Sequence, residues 1–104
     1  MKKHERHIER GDLKGATHLE VSVFYTKGGA NYFSGGTTPR GYYVSVRPVT
    51  LRDGMRSFDL FAGQKQFLFE TVRYTDKQFG RAVTMAADFE DELITAVLAE
   101  NKAA

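Results

Sequence analysis

The fold is decided by residues 75–100, which read TDKQFGRAVTMAADFEDELITAVLAE. Thr75, followed three positions later by Gln78, matches a capping box, and Asp76 suits the positive end of a helix. Apolar residues then recur at three- and four-residue spacing: Phe79, Val83, Ala86, Phe89, Leu93 and Val97. This pattern predicts an amphipathic helix over residues 76–100, about six to seven turns long at 3.6 residues per turn.

The sequence before this helix alternates as β-strands do. Residues 17–26 place apolar and polar side chains in turn, and residues 42–49 and 55–61 repeat the pattern. Residues 31–34 lie between two glycine-rich turns and are predicted to form a short return strand. Pro48 has no N–H to donate to a ladder, which indicates a sheet edge or the end of a strand.

Residues 64–74 fit two structures. As a strand, Phe67 and Phe69 would lie opposite Leu68 and Val72. As a helix, the stretch would have a stripe made of Phe67, Leu68, Thr71 and Val72, with Phe69 off it. Periodicity does not separate the two in so short a run. We favour a short second helix here.

The predicted fold class is therefore α+β, with an antiparallel sheet of three to four strands packed on a long C-terminal helix. Residues 1–15 are dense in charge and contain two glycines, so we expect a flexible charged tail. Residues 16–104 form one domain, as the length of 104 residues allows.

Several short motifs in the loops and strands support a resemblance to known proteins. They are Lys27-Gly28-Gly29, Arg40-Gly41-Tyr42-Tyr43, Gly54-Met55 and Phe61-x-Gly63-x-Lys65. Over residues 20–75 the chain resembles short uncharacterised proteins of gut-type bacteria, of the kind encoded on mobile elements. The resemblance implies no activity and no site residue. It favours a helix over the stretch after Gly63.

Composition excludes several classes of function. The chain has no cysteine, which removes disulfides and thiolate metal sites. No apolar run reaches the roughly 18 residues of a membrane span, and the charged N-terminus lacks a signal-peptide core. We therefore expect a cytoplasmic protein without membrane contact.

Catalytic and metal-binding signals are weak. His4 and His7 stand near Glu5 and Glu9, a set that could bind a metal on a helix, but a mobile tail would not fix the ligands. The serines lack a nucleophile-elbow motif. We predict no cofactor, no metal site and no enzymatic activity.

Charge and aromatic residues indicate a binding role. Net charge is +2 over residues 1–15, +3 over 16–75 and −3 over 76–104. Such asymmetry suits an anionic ligand or a second copy of the chain. A sheet covered by one helix also leaves one face free. The candidate binding residues are Tyr32, Arg40, Tyr43, Arg47, Arg52 and Arg56.

Two functions fit these observations. The first is a small non-enzymatic interaction module that acts as a homodimer or as a subunit of a complex. The second is an accessory nucleic-acid-binding protein, since aromatic residues on a sheet stack with bases while flanking arginines contact phosphates. The two differ in how strongly binding depends on salt.

Overall fold

The computed structural model describes residues 1–30, 36–58 and 62–102. Within these ranges the chain forms seven strands and one helix. They are β1 (His4–Glu9), β2 (His18–Thr26), β3 (Gly29–Ala30), β4 (Thr37–Thr38), β5 (Gly41–Arg52), β6 (Met55–Phe58), β7 (Gln64–Glu70) and α1 (Asp76–Asn101). The α+β prediction is confirmed, with a single helix in the described part of the chain.

Five of the strands form one antiparallel sheet in the order β1-β2-β5-β6, and β7 also pairs with β5. β5 is the long central strand, so β6 and β7 share one of its edges: β7 covers residues 41–46 and β6 covers residues 49–52. β3 and β4 form a separate two-stranded ladder. The predicted strand over 31–34 lies outside the described residues, as do residues 59–61 of the predicted third strand.

Pro48 lies inside β5, so its interpretation as an edge or a strand end was wrong. It pairs in register with Leu19 of β2, and on the other edge it falls between the stretches that β7 and β6 cover. The missing N–H of Pro48 therefore falls at the gap between two neighbouring strands. The tight β5–β6 turn uses Asp53 and Gly54, both with positive φ, as an Asp-Gly hairpin requires.

α1 packs on one face of the sheet and encloses the core. Its N-cap is Thr75, whose hydroxyl accepts a hydrogen bond from the Gln78 N–H at 3.2 Å, as the capping box predicts. Apart from Leu13, the buried core side chains come from alternate positions of β2 and β5 and from one stripe of α1: Leu19, Val21, Val23, Tyr42, Val44, Val46, Phe79, Ala82, Ala86 and Val97.

The second helix predicted over residues 64–74 is not formed. Residues 64–70 are strand β7, because the backbone of β5 offers them a ladder. A register shift sets Tyr43 opposite Phe67 but the adjacent Tyr42 opposite Phe69. This bulge turns the two phenylalanines to opposite faces and breaks the period-two pattern, which explains why the sequence was ambiguous here.

The first residues of the chain also differ from the expected tail. Residues 4–9 form β1 and pair along their whole length with β2. Beyond β1, the Lys14 N–H donates to the Asn101 carbonyl at 2.8 Å, and Leu13 is buried beside the end of α1. Backbone pairing places this charged segment at the sheet edge, where exposed polar side chains are tolerated.

A concave, polar face of the sheet

The side of the sheet opposite α1 carries the candidate site, and we call it the outer face. Strand alternation places there Glu5, His7, Glu9, His18, Glu20, Ser22, Phe24, Tyr43, Ser45, Arg47, Val49, Leu51, Arg56, Phe58, Lys65 and Phe67. One row crosses four strands in register: Glu5 on β1, Ser22 on β2, Ser45 on β5 and Lys65 on β7. This row has a negative rim, a positive rim and two small hydroxyl side chains between them.

Arg56 shows that the outer face is concave. It lies on β6, yet its guanidinium donates to Glu5 on β1 at 2.9 Å and also to Glu20 on β2. In a flat sheet β1 and β6 would be three strand spacings apart, about 14 Å at the usual 4.8 Å. The sheet therefore curls towards this face, and Arg56 reaches across the hollow.

Glu20 is the most buried charged residue of the face, at 2% exposure. Its carboxylate is 3.0 Å from His7 Nε2 and accepts a hydrogen bond from Arg56. Burial by itself would raise the pKa of Glu20, but the hydrogen bonds from His7 and Arg56 and the positive charge of Arg56 outweigh it. The pKa of Glu20 is consequently lower than usual, so the residue stays ionised.

An aromatic cluster lines one end of the hollow. The Tyr43 ring stacks on Phe24 at 5.8 Å and contacts Phe67 at 5.1 Å between centroids. Its hydroxyl donates to the Pro39 carbonyl at 2.8 Å, and burial raises the pKa of Tyr43. Tyr43 is only 4% exposed, so its ring is a packed part of the sheet.

The floor of the hollow is made by Ser22 and Ser45, which are 3% and 5% exposed. Both line a cavity of about 120 Å³, with Lys3, Glu20, Phe24, Arg47 and Arg56 around it. A second depression of about 260 Å³ shares Ser45 and Arg47 and extends towards Lys65. Within the described residues, Ser22 Oγ has no hydrogen-bond partner.

A metal site is the obvious alternative for the carboxylates. Glu5, His7 and Glu20 bring one ligand atom each to within 4.8 Å of one another. Arg56 already bridges both carboxylates, however, and its positive charge opposes a cation at the same place. The set suggested by the sequence does not form either, because His4 and His7 are three residues apart on a strand and point to opposite faces.

The structure brings together three of the six sequence candidates. Tyr43, Arg47 and Arg56 all lie on the outer face, and Arg47 and Arg56 both stack on Phe58, at 4.9 and 4.8 Å. Arg40 instead precedes β5 and donates to the backbone carbonyls of Lys27 and Val72. Arg52 is exposed at the end of β5, and Tyr32 lies outside the described residues.

Sequence reasoning missed the residues that shape the hollow. Ser22, Ser45, Glu20 and Lys65 carry no motif, and only the strand register sets them beside one another. One signal was available: Ser22 and Ser45 each stand at the polar position of an otherwise bulky strand. A small polar residue at the centre of a strand marks a depression on that face.

The chain matches no protein-family model, and neither a curated protein nor a solved structure shows significant similarity to it. The likeness to gut-bacterial proteins thus stays a prediction. Among the described residues, no helix is long and apolar enough to cross a lipid bilayer.

Proposed function

We propose that this chain is a non-enzymatic interaction module that forms a homodimer through its concave outer face. The observation that carries the proposal is the row from Glu5 to Lys65, which has opposite charges at its two rims. A surface that contacts a second copy of itself must be self-complementary, and this row is.

The symmetry follows from the row. A two-fold axis between two such faces, parallel to the strands, sets the β1 rim of one copy against the β7 rim of the other. Glu5 of each copy, which also accepts a hydrogen bond from Arg56 of its own chain, then faces Lys65 of its partner, and the two concave centres enclose a space between them. In the described part of the chain Lys65 forms no ion pair, and its ammonium lies over the Tyr43 ring at 5.4 Å, so it is available for a partner's carboxylate.

The nucleic-acid alternative has less support. Tyr43 is packed between Phe24 and Phe67 and does not present a free ring for a base. Arg56 is held by two carboxylates, and a phosphate would have to compete with them. Arg40 and Arg52 lie away from the outer face, so the arginines do not form one continuous track.

The test is a charge-swap experiment followed by light scattering and analytical ultracentrifugation. Lys65→Glu and Glu5→Lys should each weaken dimerisation roughly tenfold or more, because two rim contacts become repulsive in each symmetric dimer. Mixing the two variants should restore a heterodimer, since both contacts then join opposite charges again. Lys77→Glu on α1 makes the same change in net charge as Lys65→Glu, but on the other side of the sheet, and should leave the dimer intact.

A monomeric wild-type chain would reject the proposal, as would a dimer that neither substitution weakens. Labelled single-stranded oligonucleotide added to the same samples tests the alternative. Binding that collapses at high salt and is lost with Arg47→Ala would favour nucleic acid instead.

A further inference from the structure

We propose that the cavity above Ser22 and Ser45 is a binding site for a small oxyanion, such as a phosphate or carboxylate group. This inference goes beyond self-association, because the cavity is complete within one copy of the chain. Its residues come from β2, β5 and β6 and from Lys3, just before β1.

The first reason is the unsatisfied hydroxyl of Ser22. A buried hydroxyl without a partner is unfavourable, and the large majority of such groups in proteins are paired. Ser22 Oγ is buried and lines the cavity, but no group of the described chain bonds to it. Ser45 lies directly opposite in register and supplies a second hydroxyl to the same floor.

The second reason is the charge around the cavity. Three cations line it, Lys3, Arg47 and Arg56, against one carboxylate, that of Glu20. Arg56 is shared between Glu20 and Glu5, and Lys3 Nζ lies 4.0 Å from Glu5, so a bound anion would share these two cations with the carboxylates. Arg47 forms no ion pair within the described residues, and its guanidinium lies over the Phe58 ring, so its charge is available to an anion.

Size limits the ligand. A cavity of about 120 Å³ holds several water molecules but is smaller than the 300–1,000 Å³ typical of sites for drug-sized ligands. It therefore fits one phosphate or carboxylate group. The adjoining depression beside Gly63 and Lys65 leaves room for a small organic body attached to that group.

The experiment is isothermal titration of the full chain with inorganic phosphate and, separately, with acetate. Each anion is titrated into the wild type and into Lys65→Glu, because Lys65 does not line the smaller cavity and the variant separates anion binding from dimerisation. We expect saturable binding of phosphate, of acetate or of both, and the comparison identifies the preferred group. Ser22→Ala and Arg47→Gln should each weaken it roughly tenfold, as expected for losing one hydrogen bond to a charged group.

Ser57→Ala on β6 is the matched control, since Ser57 is exposed and does not line the cavity; its affinity should equal that of the wild type. Absence of binding in both backgrounds would overturn the inference and leave water as the occupant. Binding that survives both Ser22→Ala and Arg47→Gln would also overturn it. Light scattering on the same samples reports dimerisation separately, so either proposal can fail while the other stands.

Discussion

The two faces of the central sheet bury their residues by different means. On the α1 face Tyr42 is fully buried among apolar and aromatic side chains, and its hydroxyl bonds to the backbone of Thr75 at the start of the helix. On the outer face Glu20 is almost as buried, but its carboxylate is hydrogen-bonded to His7 of β1 and Arg56 of β6. Apolar packing therefore buries Tyr42 on the α1 face, whereas ion pairing and hydrogen bonding allow Glu20 to be buried on the outer face.

Truncation of Tyr42 on the α1 face should destabilise the protein more than any other substitution considered. Tyr42→Ala removes a ring that lies 5.0 Å from Phe69 and 6.5 Å from Phe79, and it leaves the Thr75 backbone without its partner. Truncation of a buried aromatic residue costs about 3–5 kcal/mol of unfolding free energy. Urea denaturation followed by circular dichroism measures this loss. A cost below about 1 kcal/mol would mean that Tyr42 is not part of the core.

Removal of Arg56 should destabilise the outer face, with a smaller loss than that of Tyr42. Arg56→Ala takes the guanidinium from both Glu5 and Glu20 and leaves the latter buried with His7 alone. We expect a loss of roughly 2–3 kcal/mol, less than a fully buried ion pair because Arg56 itself is about one-third exposed. Arg52→Ala, at an exposed position four residues earlier, should change stability by less than about 0.5 kcal/mol. Equal effects of the two substitutions would contradict the bridging role of Arg56.

The two faces of the sheet also differ in how far the sequence alone predicts them. The α1 face was predictable because Leu19, Val21 and Val23 alternate within one strand. The N-cap Thr75 and the apolar stripe of residues 79–97 likewise predict α1. The outer face was not predictable, because Glu5, Glu20 and Arg56 meet only after four strands, β1, β2, β5 and β6, have paired. Periodicity detects which residues avoid water, but it does not detect backbone pairing between distant segments.

The same limit of periodicity applies to residues 4–9 and 64–70, which were expected to be a tail and a helix. Residues 4–9 have a single large apolar side chain, Ile8, so they gave no burial signal, although their backbone pairs fully with β2. In residues 64–70 the signal existed but was altered by the bulge beside Tyr42 and Tyr43. Both segments are strands because β2 and β5 provide ladders for them, and that information lies elsewhere in the sequence.

The stability of the outer face should also depend on pH, through Glu20. The pKa of Glu20 is lowered in the folded chain, so its ionised form stabilises the fold at pH values above the ordinary glutamate pKa of about 4.3. This stabilisation is lost as the pH falls through the folded-state pKa. Glu20→Gln should therefore cost on the order of 1–2 kcal/mol at pH 7, and the difference from wild type should shrink below about pH 4. Denaturation midpoints measured from pH 3 to pH 8 follow it, and a difference that grows in acid would have the wrong sign.

The smallest change in unfolding free energy is expected for Ser22→Ala, and any change should be a gain in stability and not a loss. Ser22→Ala removes a buried hydroxyl that has no partner in the described chain, so the unfolding free energy should stay the same or rise by up to about 1 kcal/mol. Ser57→Ala, at an exposed position on β6, should stay within about 0.5 kcal/mol of wild type. Thermal denaturation in a buffer free of phosphate and carboxylate anions is the appropriate measurement. If the Ser22 hydroxyl stabilises the fold, the Ser22→Ala variant will be less stable than the wild type. If the hydroxyl serves to bind a ligand, the variant will be as stable as the ligand-free wild type or more stable.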